Sequence, residues 1–203
     1  VRDERSTKAW ESNLDWWRHF WDRSFIVVNP GANERDAGWK VARNYNLFRY
    51  MLASNVHGRE PTVFNGGLFT FDPKYVNGQE YTPDYRQWGA SYHAQNQRLV
   101  YWPMLKSGDY DMMLPIFETY RKGLANARAR VRLHWGHAGC CFTEAPGPLM
   151  LPGPAMYGFR EGGGRGRPEE LEPGVQVNTA FNYIYQSQLE FAWMMLQYHR
   201  FSG

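Results

Sequence analysis

The chain has 203 residues, of which 43% are hydrophobic, 17% aromatic and 21% charged, with a formal net charge of +3. That length supports one domain with a sizeable core, or a large piece of a bigger one. Nine Trp, 13 Tyr and 12 Phe exclude disorder for most of it, since disordered chains are poor in such residues.

No apolar run approaches the ~18 residues that span a bilayer, so no membrane partner is expected. No signal-peptide pattern follows Val1-Arg2-Asp3-Glu4-Arg5, although Val1 in place of Met points to a processed or truncated start. With 23 Lys+Arg against 20 Asp+Glu the charges nearly balance. Only Arg121-Lys122, Arg128 to Arg132 and Arg165-Gly166-Arg167 cluster, which is too little for a nucleic-acid footprint.

Trp10, Leu14, Trp17 and Trp21 fall on one helical stripe, widened by Phe20 and Phe25, and predict an amphipathic first helix. Asn29-Pro30-Gly31-Ala32-Asn33 breaks it with turn chemistry. A second stripe, Val41, Tyr45, Phe48 and Leu52 with Met51 beside it, runs to about His57-Gly58. From Pro61 to Gly89 the pattern is irregular, and Thr62 to Phe71 reads as a short hairpin or an extended loop.

Ser91 is the expected cap of a third helix that Pro103 kinks or ends. Ser107-Gly108-Asp109 opens a fourth, carrying Met112, Met113, Ile116, Phe117 and Tyr120. The last helix starts near Asn178-Thr179 and is apolar almost all round, which predicts burial between other helices. Before it lies residues 145–177, a loop rich in Pro and Gly that reads as a lid or insertion within a single domain over 1–203. No strand ladder builds a sheet, so the fold class expected is all-α, helix pairs joined by long irregular loops.

Four segments gather polar groups among aromatics: Asn65 to Phe69, Asp84 to Gly89, His93 to Pro103, and His134 to Glu144. Amides, Arg and His beside indole rings suit a sugar, whose hydroxyls donate and accept while its C–H face stacks on an aromatic ring. The same composition also suits Trp residues in a core with amides satisfying buried backbone. Glu144 follows the small apolar run Ala138 to Phe142. A carboxyl against apolar walls has a raised pKa, as a general acid requires; a loop carboxylate pairing with an Arg is the other reading. His137 suits a substrate hydroxyl or a loop carbonyl equally. His134 and His137 lack a convincing third ligand, so no metal and no cofactor is expected. Adjacent Cys140 and Cys141 disfavour a mutual disulfide and read as small buried hydrophobes.

The runs Asn65-Gly66-Gly67-Leu68-Phe69, Asp84 to Gly89, Gln95 to Pro103, and Gly136-His137-Ala138-Gly139 leading to Phe142-Thr143-Glu144 resemble bacterial proteins related to glycoside hydrolase family 95, which contains α-L-fucosidases and α-L-galactosidases. The resemblance implies a partial (α/α)6 toroid, inverting hydrolysis of a glycosidic bond in a plant or host-type glycan, and a periplasmic or extracellular place. It implies Glu144 as proton donor and Asn96, helped by Gln95, as holder of the attacking water. Asn65, Arg86, Trp88, His93 and His137 would bind the oligosaccharide or polysaccharide. The family's pattern departs at Ala94, where fucosidases carry an Asn. No second carboxylate is evident, and fewer helices are present than a full toroid has, so the resemblance implies a fragment. A non-catalytic carbohydrate-binding toroid and a toroid polysaccharide lyase are the alternatives.

Overall fold

The computed structural model describes residues 4–63, 75–76, 79–80, 91–153, 158, 166, 168–171, 175–178 and 184–203. They are mostly helical: α1 (Glu4–Arg23), α2 (Ala37–Ala53), α3 (Ala94–Ser107), a 3-10 turn (Tyr110–Met113), α4 (Leu114–Trp135) and α5 (Gln186–Ser202). A two-residue antiparallel pair, β1 (Tyr75–Val76) and β2 (Gln79–Glu80), sets Tyr75 opposite Glu80. Of the expected 62–71 hairpin, residues 64–71 lie outside the described residues. No described helix is long and apolar enough to cross a membrane.

In α1 the buried line is centred on Phe20, which is fully buried, with Trp16, Trp17 and Trp21 packed around it. Trp16 stacks on Phe20 with centroids 5.4 Å apart. The outer members of the expected stripe are off this line: Trp10 and Phe25 are exposed.

Asp36 caps α2 by accepting the Trp39 N–H at 2.7 Å. The helix then buries Ala42, Arg49, Leu52 and Ala53, leaving Val41 63% exposed. The expected stripe is rotated because Arg49, a charged residue, points inward. Its Nη2 donates to Asp109 Oδ1 at 2.7 Å and its Nε to Oδ2 at 3.0 Å, while Nη1 donates to the Ser24 carbonyl. Ser107 Oγ donates to the same carboxylate, and Arg23 lies 3.3 Å from it. A buried charge needs such partners, and this knot ties α1 and α2 to the junction of α3 with the 3-10 turn.

Ser91 does not cap α3; His93 stands at that position. The helix runs through Pro103 and ends at Gly108, whose φ of 75° is the left-handed stop that glycine provides. Pro103 is exposed, and it costs the helix one backbone N–H donor. Met112, Met113, Ile116 and Tyr120 enter the core as their spacing predicts. They meet Tyr101 and Met104 of α3 and Phe191 and Met194 of α5 there.

α5 begins at Gln186, later than expected, and residues 179–183 lie outside the described residues. It is not buried all round. Ser187, Phe191 and Met194 face inward, whereas Leu189 is 71% exposed, and Trp193, Leu196 and Phe201 are exposed too. Between α4 and α5 an apolar groove of about 800 Å³ is lined by residues such as Phe117, Leu124, Phe142, Leu189 and Met195.

Candidate functional site

The first turn of any α-helix has N–H groups without intrahelical partners. At α3 two of these are taken by one distant residue. The Ala94 N–H donates to the Glu144 carbonyl at 2.8 Å, and the Gln95 N–H donates to Glu144 Oε1 at 2.6 Å. Glu144 therefore caps α3 from 49 residues away.

It is held there by a strap, residues 144–153. The Tyr92 N–H donates to the Pro146 carbonyl and the Gly147 N–H to the Leu151 carbonyl, each at 2.8 Å, and Pro146 bridges Pro152. Ala145 and Met150 are buried. Met150 rests on Gly123 of α4: a Cβ at Gly123 would stand 2.3 Å from Met150 Cβ and Cγ, so only glycine admits this approach. The described start of the Pro/Gly-rich loop is thus packed against α3 and α4.

Glu144 is 3% exposed, and its second oxygen, Oε2, is buried without a hydrogen bond. Burial pushes its pKa up, because a low-dielectric surround disfavours the charged form. The Gln95 N–H, the Ser187 hydroxyl and the charge of Arg98 oppose this without cancelling it. Tyr120 also faces the group: its hydroxyl is pushed up first by burial and then by the Glu144 charge.

A second carboxylate, on α5 against α3, is shifted in the opposite direction. Glu190 of α5 accepts Arg98 Nη1 at 2.6 Å and Trp102 Nε1 at 2.7 Å, so both its oxygens are bound. Its partial burial would push the pKa up, but the bonds from Arg98 and Trp102 and the Arg98 charge more than offset this and hold it below the ordinary range.

Of the residues named from sequence, Glu144, His93, Gln95 and Asn96 meet at the start of α3. His93 is buried, which lowers its pKa. Gln95 and Asn96 are exposed; Gln95 contributes its backbone N–H to Glu144, and the Asn96 N–H donates to the His93 carbonyl at 3.1 Å. His137 is not brought into this cluster's bonds: it is exposed beyond α4, with Nδ1 2.8 Å from the Ala138 carbonyl oxygen. Asn65, Arg86 and Trp88 lie outside the described residues. Cys141 is buried as expected, but Cys140 is exposed, and both are free thiols. Among the described residues no three of His, Cys, Asp and Glu converge as metal ligands would.

Arg98, Trp102, Ser187 and Glu190 were not singled out by sequence. Their signal was the spacing of four between Arg98 and Trp102 and of three between Ser187 and Glu190, which puts each pair on one helix face. A carboxyl whose pKa is raised and another whose pKa is lowered are the kind of pair that acid–base chemistry uses. No family model, curated protein or solved structure matches this chain.

Proposed function

We propose that the chain is part of a glycoside hydrolase-like helical domain, a partial (α/α)6 toroid, that hydrolyses a glycosidic bond with inversion. The observation that carries the reading is Glu144, a carboxyl packed against the start of α3 whose burial favours its protonated form. In this role Glu144 gives its proton to the departing glycosidic oxygen as the C–O bond breaks. Water attacks the anomeric carbon from the opposite face, held by Asn96 and Gln95, both exposed in the first turn of α3. The water's proton passes to a second carboxylate, placed by the family resemblance in a later part of the toroid. Oligosaccharide or polysaccharide is the substrate, and a periplasmic or extracellular place belongs to the same proposal.

A second reading, a carbohydrate-binding domain without catalysis, is favoured by one fact. Glu144 Oε2 has less than 1 Å² of accessible surface, as suits a carboxylate serving only as a helix cap.

Glu144→Gln separates the two. The amide oxygen still accepts the Gln95 N–H, so the cap survives while the transferable proton is gone. The full-length parent protein and its variant are assayed on aryl α-L-fucosides, α-L-galactosides and a wider glycoside panel, with sugar binding followed by thermal shift. A loss of turnover of about 10²–10⁴-fold with binding retained is the expected result for a general acid. Full turnover in the variant removes the assignment, and binding by both proteins with hydrolysis by neither establishes the second reading.

A further inference from the structure

The strap of residues 144–153 is closed by its own bonds. The Gly147 N–H donates to the Leu151 carbonyl and the Met150 N–H to the Gly147 carbonyl, each at 2.8 Å, and Pro146 bridges Pro152. Pro146, Pro148 and Pro152 stiffen the backbone between these bonds. The strap is therefore a unit whose internal bonds do not depend on where it sits. Two sets of contacts hold it to the helices. At the start of α3, the N–H groups of Tyr92, Ala94 and Gln95 donate to the Pro146 carbonyl, the Glu144 carbonyl and Glu144 Oε1. At α4, Asn126 Nδ2 donates to the Leu149 carbonyl at 2.8 Å and Met150 is seated on Gly123.

Met150 is the pin of the second set. Its side chain is 2% exposed, while that of neighbouring Leu149 is 70% exposed. Its φ of 57° is left-handed, a conformation that a residue with a Cβ keeps only where its surroundings impose it. With the pin seated, Glu144 Oε2 has less than 1 Å² of accessible surface, so no glycosidic oxygen can touch it. A carboxyl that gives a proton to a substrate must first leave that place, and Glu144 is itself the first residue of the strap.

We propose that residues 144–153 are a latched strap with two positions. Seated, with Met150 on Gly123, it stores Glu144 on the start of α3; released, it lifts the carboxyl off that helix and presents it to the saccharide. The use in catalysis rests on the general-acid reading, whereas the coupling of the Met150 seat to the Glu144 cap does not.

Amide hydrogen exchange of the full chain, with no sugar present, tests that coupling, because the partner of the Gln95 N–H is the carboxyl itself. Met150→Ala removes the latch, and Gly123→Ala drives a methyl into its seat. In each variant the Tyr92, Ala94 and Gln95 amides should exchange faster together, by roughly ten- to a hundredfold, the size that loss or overpacking of one buried side chain produces. The Tyr101 and Met104 amides, farther along α3, should keep their wild-type rates. If Gly123→Ala does not fold, Met150→Ala alone decides. Unchanged exchange at Tyr92, Ala94 and Gln95 in Met150→Ala overturns the proposal. So does a rise shared equally by Tyr101 and Met104, which is a loss of global stability and no release of the strap. The result is read apart from the acid assignment: faster exchange at these three amides together with full turnover in Glu144→Gln keeps the strap and removes the acid, and the converse keeps the acid and removes the strap.

Discussion

Two buried acids show how differently one fold treats the same functional group. Asp109 is 1% exposed and Glu144 is 3% exposed. Around Asp109 both oxygens are bound, by Arg49 in a two-pronged grip and by Ser107, with Arg23 at the rim. Around Glu144 one oxygen is bound by a backbone N–H and the other has no hydrogen bond. Burial alone therefore does not set the role of a carboxyl. A cation in direct contact makes Asp109 a structural tie, whereas Glu144 has no cation in hydrogen-bond contact among the described residues and burial raises its pKa.

The sharpest way to break this contrast is Asp109→Ala, which strands Arg49 in the core. Leaving a buried charge without its partner costs about 3–5 kcal/mol, read as a large drop in the urea midpoint, while Glu144→Gln should show no comparable loss. A smaller effect is expected at the strap. Gly123→Ala drives a methyl into Met150 and costs about 1–3 kcal/mol, the usual range for overpacking. Substituting Met150 by Ala in the same chain should recover part of that loss.

The smallest effects sharpen the comparison by sign. Asp36 is held below the ordinary carboxylate range by the Trp39 N–H and then by Asn29. Its cap therefore stabilises the fold above the unfolded pKa, and that contribution is lost as pH falls through the lower folded value. Asp36→Ala should lower the melting temperature at neutral pH, with the deficit closing in acid. Glu144 runs the other way. Its folded pKa is raised, so its stabilising contribution is full below the unfolded pKa and is lost as pH rises through the folded value. Glu144→Gln should melt no lower than wild type at neutral pH, and its relative advantage should shrink toward pH 4.

The helices were largely legible in the sequence, the faces they bury much less so. Met112, Met113, Ile116 and Tyr120 announce their burial by local spacing, and the glycine after α4 marks its end. α2 misleads because periodicity counts apolar residues, while its inward face is decided by Arg49 and a partner 60 positions away. α3 runs past Pro103 because packing outweighs one missing hydrogen bond. α5 looks buried on every side by composition, yet only one of its faces meets α3 and α4. At the site, the small apolar run before Glu144 is where the sequence places a carboxyl, and the structure buries that carboxyl at the start of α3. Its partner at the start of α3 and the Arg98–Glu190 pair, 92 positions apart, arise from tertiary folding and leave no local pattern.

A carboxyl-carbon titration of wild-type Glu144 probes the whole scheme without any assumption about substrate. A midpoint above the ordinary value of 4.5 is expected, from burial at the start of α3 with one oxygen unbonded. A midpoint at or below that value would show a carboxylate already ionised by its surroundings, and Glu144 would then be no proton donor.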